Sequence, residues 1–384
     1  YREQYIKNFF YKKTLKIINF VAKYKIFLSV MIDVNAHILL IYTGGTIGMV
    51  ENPETGSLEP FDFKHLNSNM PELQRFKFRV ENIVFNPPID SSEITPDHWR
   101  EIVHVIEDRY DDYDGFVILH GTDTMAYTAS AISFMIENLT KPVVLTGAQL
   151  PIGKLRTDAK ENLITALEIA ADKDNIGNPI VPEVCIFFQN DLIRGNRATK
   201  VNAENFNAFK SYNFPNLGKS GIQIRYDRKL ILEPNYEKKP RFHYRLDERI
   251  AILKLFPGIN KSTVETILNI KDIKAVILET YGSGNAPLSE WFLEQVRDAV
   301  RRGVVIVNKT QCNIGCVNMQ RYETGQTLLK AGVISGYDST LESAITKLMF
   351  LIGHHYSKEE IRVRMRVPLA GEITHPENWI NEKI

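Results

Sequence analysis

Seven short runs rich in Val, Ile, Leu and Phe recur along the chain: Ile38–Tyr42, Phe116–Leu119, Val143–Leu145, Val184–Phe188, Ile250–Leu253, Ala275–Leu278 and Val304–Val307. Each is bounded by polar or turn-forming residues. Runs this short, and apolar at every position, describe strands covered on both faces. Between them lie stripes at helical spacing. Pro96–Glu107 carries Trp99, Ile102, Val103 and Ile106, and opens with Thr95 as N-cap, Pro96 in the first helical position and Asp97 in the first turn. Asp158–Ala171 and Leu341–Leu351 repeat the pattern. Strands alternating with helices imply right-handed crossovers and a mostly parallel sheet.

The rhythm breaks at residues 211–248, which hold Pro215, Pro234, Pro240 and the charged run Glu237-Lys238-Lys239. It resumes at Ile250. The expected class is therefore α/β in two domains. A larger N-terminal domain, 31–225, has a mostly parallel sheet flanked by helices. A linker spans 226–248, and a smaller C-terminal α/β domain spans 249–384. Residues 1–30 stand apart, with seven bases and one acid, Glu3. They are read as a basic extension, disordered or non-native. Lys23 and Lys25 interrupt what would be a secretory apolar core.

Over 384 residues, 47 Lys+Arg face 46 Asp+Glu. Without residues 1–30 the remainder carries 40 bases against 45 acids, a net charge of −5. No basic excess marks a nucleic-acid binder. Three cysteines cannot staple a chain of this length, which points to a reducing compartment. No apolar run is long enough to span a bilayer as a helix. There is no His-Glu-x-x-His, Cys-x-x-Cys, Gly-x-Ser-x-Gly or phosphate-binding Gly-Lys-Ser/Thr motif, and Cys312 and Cys316 have no second metal-ligand pair beside them.

Chemistry-bearing residues gather where strands end, the place where parallel sheets bind ligands. Tyr42-Thr43-Gly44-Gly45-Thr46-Ile47-Gly48 follows the first run. It reads as a plain turn, or as a loop whose glycines let backbone N–H groups approach a ligand beside the Thr46 hydroxyl. His120-Gly121-Thr122-Asp123-Thr124 follows the second, as a helix cap or a second wall of the same crevice. Asp90-Ser91-Ser92-Glu93 is a polar loop, or a seat for the ammonium and carboxylate of an amino acid. Arg194-Gly195-Asn196-Arg197-Ala198-Thr199-Lys200 reads as a phosphate site or a solvated face; alternatively, its lysine stands beside Asp123 in a base assembly for a hydroxyl nucleophile. In the second domain, Thr280-Tyr281-Gly282-Ser283-Gly284-Asn285 and Asn308-Lys309-Thr310-Gln311-Cys312 follow strands and read as loops.

The two threonine motifs resemble the paired signatures of bacterial L-asparaginases, and the type I, cytoplasmic group is the nearer likeness. Asp90-Ser91-Ser92, Gly147-Ala148-Gln149-Leu150-Pro151, Arg194-Gly195-Asn196-Arg197, Tyr281-Gly282-Ser283-Gly284-Asn285 and Thr310-Gln311-Cys312 extend the resemblance over about 37–376. It implies hydrolysis of L-asparagine to L-aspartate and ammonia in the cytoplasm, with no metal or organic cofactor. Carried over residue by residue, Thr46 resembles the nucleophile. Thr122, Asp123 and Lys200 resemble a supporting set. Gly45, Asp90, Ser91, Ser92, Thr122, Asp123 and Ala148 resemble the substrate contacts.

Two departures stand out. The tyrosine that many members carry in a lid after the first signature is missing, since no Tyr lies between 43 and 109. Tyr281 is the expected substitute, with Tyr322 its rival. Some type I enzymes bind asparagine at a regulatory site with an arginine where this chain has Glu279, so regulation of that kind is not expected. Family active sites lie near subunit boundaries, which implies a homodimer or homotetramer with Asn285 reaching across, and no nucleic acid or membrane partner. The alternatives are a related amidase or glutaminase, including the ammonia-supplying subunit of a tRNA-dependent amidotransferase. A non-catalytic module on the same fold would be expected to lack one of Thr46, Thr122, Asp123 or Lys200.

Overall fold

A computed structural model describes residues 36–51, 58–60 and 75–374. The basic extension, and the stretch after the first signature where a lid tyrosine was sought, lie largely outside them. The first sheet has eight strands. In chain order these are β1 (His37–Tyr42), β2 (Arg79–Val84), β3 (Gly115–Leu119), β4 (Val143–Thr146), β5 (Val184–Phe188), β6 (Asp191–Arg194), β7 (Gly218–Lys219) and β8 (Arg225–Tyr226). Their spatial order is β8-β7-β6-β5-β4-β3-β1-β2. The five strands from β2 to β5 run parallel, and β6, β7 and β8 add an antiparallel rim.

Alternation along β1 divides its side chains between two cores. Leu39 and Ile41 pack with α1 (Pro96–Asp108) and α2 (Met125–Met135), while Ile38, Leu40 and Tyr42 pack with α3 (Ala159–Ala171). Helix α1 begins where Thr95 and Pro96 place it. The side chain that folds back on Thr95 is His98, whose Nδ1 accepts the Thr95 N–H at 3.0 Å.

The second sheet is wholly parallel: β9 (Ile250–Lys254), β10 (Ala275–Thr280), β11 (Val305–Thr310) and β12 (Ile334–Ser335). Helices α4 (Lys261–Leu268) and α5 (Glu290–Arg301) cover one face, followed in the chain by α6 (Glu323–Lys330). Helices α7 (Leu341–Gly353) and α8 (Lys358–Arg364) cover the other. Phe134 of α2 joins that second core, so α2 and α7 form the seam between the sheets. The 226–248 stretch crosses this seam, with Arg241–Phe242 pairing antiparallel with Ile136–Glu137.

Strands β10 and β11 run further than the sequence indicated. Thr280, Asn308, Lys309 and Thr310 are buried inside strands rather than in the loops after them. Their polar groups are satisfied in place: Thr280 Oγ1 donates to Asn308 Oδ1 at 2.6 Å, and Lys309 Nζ donates to the Thr310 carbonyl at 3.0 Å. Among the described residues no helix is long and apolar enough to cross a membrane.

Candidate active site

Three loops meet beyond the carboxyl ends of β1 and β3. The first signature turns sharply after Tyr42, and Gly45 adopts φ 88°, in the region that favours glycine. A Cβ there would stand 2.5 Å from Gly121 Cα. Only a glycine pair lets the two threonine turns approach so closely. Thr46 opens a 3₁₀ turn, Thr46–Gly48. Beneath it the buried Tyr42 hydroxyl donates to the Gly48 carbonyl at 3.3 Å, and burial pushes that phenol up to about 12. Thr46 is half-buried, and among the described residues its hydroxyl has no hydrogen-bond partner.

The second signature is stitched to the third loop. Thr124 Oγ1 donates to the Ser91 carbonyl at 2.6 Å, and Ser91 stands so near Gly121 that a Cβ on that glycine would lie 2.5 Å from Ser91 Oγ. Asp90 is exposed and caps the Ser91–Glu93 turn, accepting the Ser92 N–H at 2.8 Å and the Ser92 hydroxyl at 2.9 Å. These donors hold its carboxyl below the usual range, so the loop presents a fixed anion. Ala148 is buried in the turn after β4.

Lys200 comes from the segment that follows β6. Its Nζ donates to Thr122 Oγ1 at 2.8 Å and to Asp123 Oδ1 at 2.6 Å. Of the readings of the 194–200 segment, the base assembly is therefore the one with matching geometry. The phosphate-site and solvated-face readings fail, because Arg194 and Arg197 are only 4 % and 2 % exposed. Arg194 pairs with Glu183 at 2.6 Å and Arg197 with Asp338 at 2.8 Å, so their charge is already neutralised.

Several contributors went unassigned in the sequence. Gln149 Oε1 accepts from Thr122 Oγ1 at 3.3 Å, and its amide is fixed on the Ala203 and Asn205 carbonyls. Asp158 receives the Gln149 N–H, and Asn162 Nδ2 donates to the Gly147 carbonyl. His120 is buried, its Nδ1 2.6 Å from the Gly121 carbonyl and its Nε2 2.9 Å from Thr128 Oγ1. Thr128 Oγ1 in turn accepts from Trp99 Nε1 at 3.0 Å. That chain suits a neutral imidazole protonated on Nδ1, and desolvation pushes its pKa down to about 4. Of these, Gln149 and His120 stand inside the strand-end motifs that the sequence displays.

Tyr281 and Asn285 lie in the second unit. Each accepts a backbone hydrogen bond from the other, closing a tight turn, and the Tyr281 ring packs on the core of the second sheet. Asn285 Oδ1 accepts from Thr324 Oγ1 at 2.7 Å. The hydrogen bonds of both stay within that unit and do not reach the threonine turns. Tyr322 is 46 % exposed, with the Arg321 guanidinium over its ring. Glu279 is buried, 3.7 Å from Lys254 Nζ.

The family model described as asparaginase, N-terminal, matches residues 37–232, and that of the glutaminase/asparaginase C-terminal domain matches 249–365. L-asparaginase 1 of Escherichia coli strain K12 is 44 % identical over 342 residues, covering 88 % of this chain and 98 % of that protein. The crystal structure of L-asparaginase I from Vibrio cholerae superimposes with a TM-score of 0.80 at 41 % identity, covering 88 % of this chain and 99 % of that one. The thermostable L-asparaginase from Thermococcus kodakarensis gives a TM-score of 0.79 at 35 % identity, over the same shares. The chain belongs to the asparaginase family.

Proposed function

We propose that this chain is an L-asparaginase that hydrolyses L-asparagine to L-aspartate and ammonia through a threonine ester. The observation that carries the reading is the convergence of Lys200 on Thr122 and Asp123, at the turn against which Gly45, next to Thr46 in the chain, is packed. A threonine hydroxyl is a poor nucleophile near neutrality and needs a base. Thr46 attacks the side-chain amide carbon. Its proton passes through the Thr122 hydroxyl to the Asp123–Lys200 pair and on to the leaving nitrogen, which departs as ammonia. Backbone N–H groups of the glycine turns, Gly45 among them, together with Thr122, stabilise the oxyanion. Water then cleaves the ester by the reverse proton path, releasing L-aspartate and restoring Thr46.

Asp90 takes the substrate ammonium, Ser91 and Ser92 the α-carboxylate, and Ala148 lies beside the amide. Tyr281 supplies the hydroxyl that approaches Thr46, and Asn285 a contact across a subunit boundary. Both thus depend on assembly as a homodimer or homotetramer. The two units divide within 226–248, and the enzyme works in the cytoplasm.

The test is steady-state ammonia release from L-asparagine and L-glutamine by the purified chain and by Thr46→Ala. The expected outcome is turnover of L-asparagine that Thr46→Ala lowers by about 10⁴-fold or more. A variant as fast as wild type ends the reading.

A further inference from the structure

Thr199 and Lys200 form a two-residue strand paired antiparallel with Phe209–Lys210. Neighbouring side chains on a strand point to opposite faces. Lys200 accordingly reaches Thr122 and Asp123, while Thr199 turns the other way, into the seam between the two sheets. There its Oγ1 donates to Glu342 Oε1 at 2.6 Å. Glu342 belongs to the second unit, in the first turn of α7, and is 8 % exposed. Its carboxyl also accepts hydrogen bonds from its own backbone N–H and from the Thr340 hydroxyl, and burial pushes its pKa up.

Four residues upstream of Glu342, Asp338 grips the same segment through Arg197, in an ion pair whose side chains are 0 % and 2 % exposed. Asp338 is itself held by the Thr374 N–H at 2.9 Å and the Thr374 hydroxyl at 2.7 Å. The 197–200 segment is thus pinned twice from the second unit, the second pin one residue from the lysine.

We propose that Glu342 is a positioning residue for the reaction: through the Thr199 hydroxyl it fixes the strand that presents Lys200 to Thr122 and Asp123. The inference rests on the asparaginase reading above. Neither Glu342 nor Thr199 touches the reacting atoms. Their contribution is the register of the Lys200 ammonium, and a misplacement of about 1 Å at such a group costs on the order of 100-fold in rate. Gln at 342 keeps a carbonyl oxygen for Thr199 to donate to, whereas Ala removes it. Val at 199 keeps the shape and removes the donor.

The experiment measures kcat, KM for L-asparagine, the pH profile of kcat and the thermal midpoint for wild type, Glu342→Ala, Glu342→Gln, Thr199→Val, the double variant Thr199→Val/Glu342→Ala, and Lys200→Ala. The expected result is a kcat about 10- to 100-fold lower per folded molecule in Glu342→Ala and in Thr199→Val, with KM little changed and the pH profile displaced. Glu342→Gln returns towards wild type, and the double variant is no worse than the poorer single one, because both remove one interaction. Three results overturn the inference. The first is wild-type kcat and pH profile in Glu342→Ala and Thr199→Val. The second is a lower thermal midpoint with unchanged kcat per folded molecule. The third is a loss that Gln does not restore. If Lys200→Ala itself turns over like wild type, the fault lies in the proposed mechanism instead, and the two failures are told apart.

Discussion

The two sheets place similar residues at the ends of their strands and use them differently. After β1 and β3, the turns bearing Thr46 and Thr122 lie against each other, and the second receives Lys200 from outside the turn. After β10 and β11, most polar groups close on themselves, the buried Ser283 Oγ excepted. Thr280 bonds to Asn308, whose Nδ2 donates to the Gly284 carbonyl at 3.0 Å. Thr310 Oγ1 donates to the Gly282 carbonyl at 2.5 Å, and the Gln311 amide bonds to the Leu255 and Glu279 carbonyls. A hydroxyl satisfied by backbone is structure. One left open beside a lysine–carboxylate pair is available for chemistry. Strand-end position and glycine content do not separate the two cases; the destination of the hydrogen bonds does.

The strongest way to break this contrast is to remove the lysine that reaches the open turn of the first unit. Lys200→Ala is expected to lower kcat for L-asparagine by about 10²- to 10⁴-fold while leaving the fold intact, checked by steady-state rates alongside circular dichroism. Next comes the seam. Asp338→Ala leaves the Arg197 guanidinium buried without its counter-ion, and urea unfolding is expected to show a loss of about 3–5 kcal/mol.

Acid sharpens the contrast from below. Burial holds the folded pKa of His120 at about 4 against the ordinary 6.5, so the native state binds its proton later than the unfolded chain does. Its contribution is complete above pH 6.5, is lost as pH falls towards 4 and changes no further below that, about 3 kcal/mol in all. Urea midpoints at pH 7 and pH 4.5 should therefore diverge more in wild type than in His120→Gln. The smallest effect belongs to the closed turn. Asn308→Ala is expected to lower stability by about 1–3 kcal/mol with kcat per folded molecule unchanged.

Much of this was legible in the residues, for identifiable reasons. The central strands are apolar at every position because helices cover both faces. The two threonine motifs announced a crevice because they follow adjacent parallel strands. Strand β2 escaped notice since Arg79, Glu81 and Asn82 on the sheet edge break its apolar run. The polar ends of β10 and β11 read as loops because burial of Thr280 and Asn308 depends on a cross-strand partner that sequence does not display. Arg194 and Arg197 looked like an anion site for the same reason, with Glu183 and Asp338 distant in the chain. His120 gave no sign of its buried chain to Thr128 and Trp99.

Thr46 and Ser283 are hydroxyls on comparable glycine turns, one in each unit. The Ser283 Oγ is buried without a hydrogen-bond partner among the described residues, so Ser283→Ala removes no bond. Ammonia release from saturating L-asparagine by Thr46→Ala and Ser283→Ala, measured side by side, tests the assignment of the chemistry to the first unit most directly. The expected result is loss of turnover in Thr46→Ala and retention of most of it in Ser283→Ala. Turnover that survives in Thr46→Ala and disappears in Ser283→Ala contradicts it.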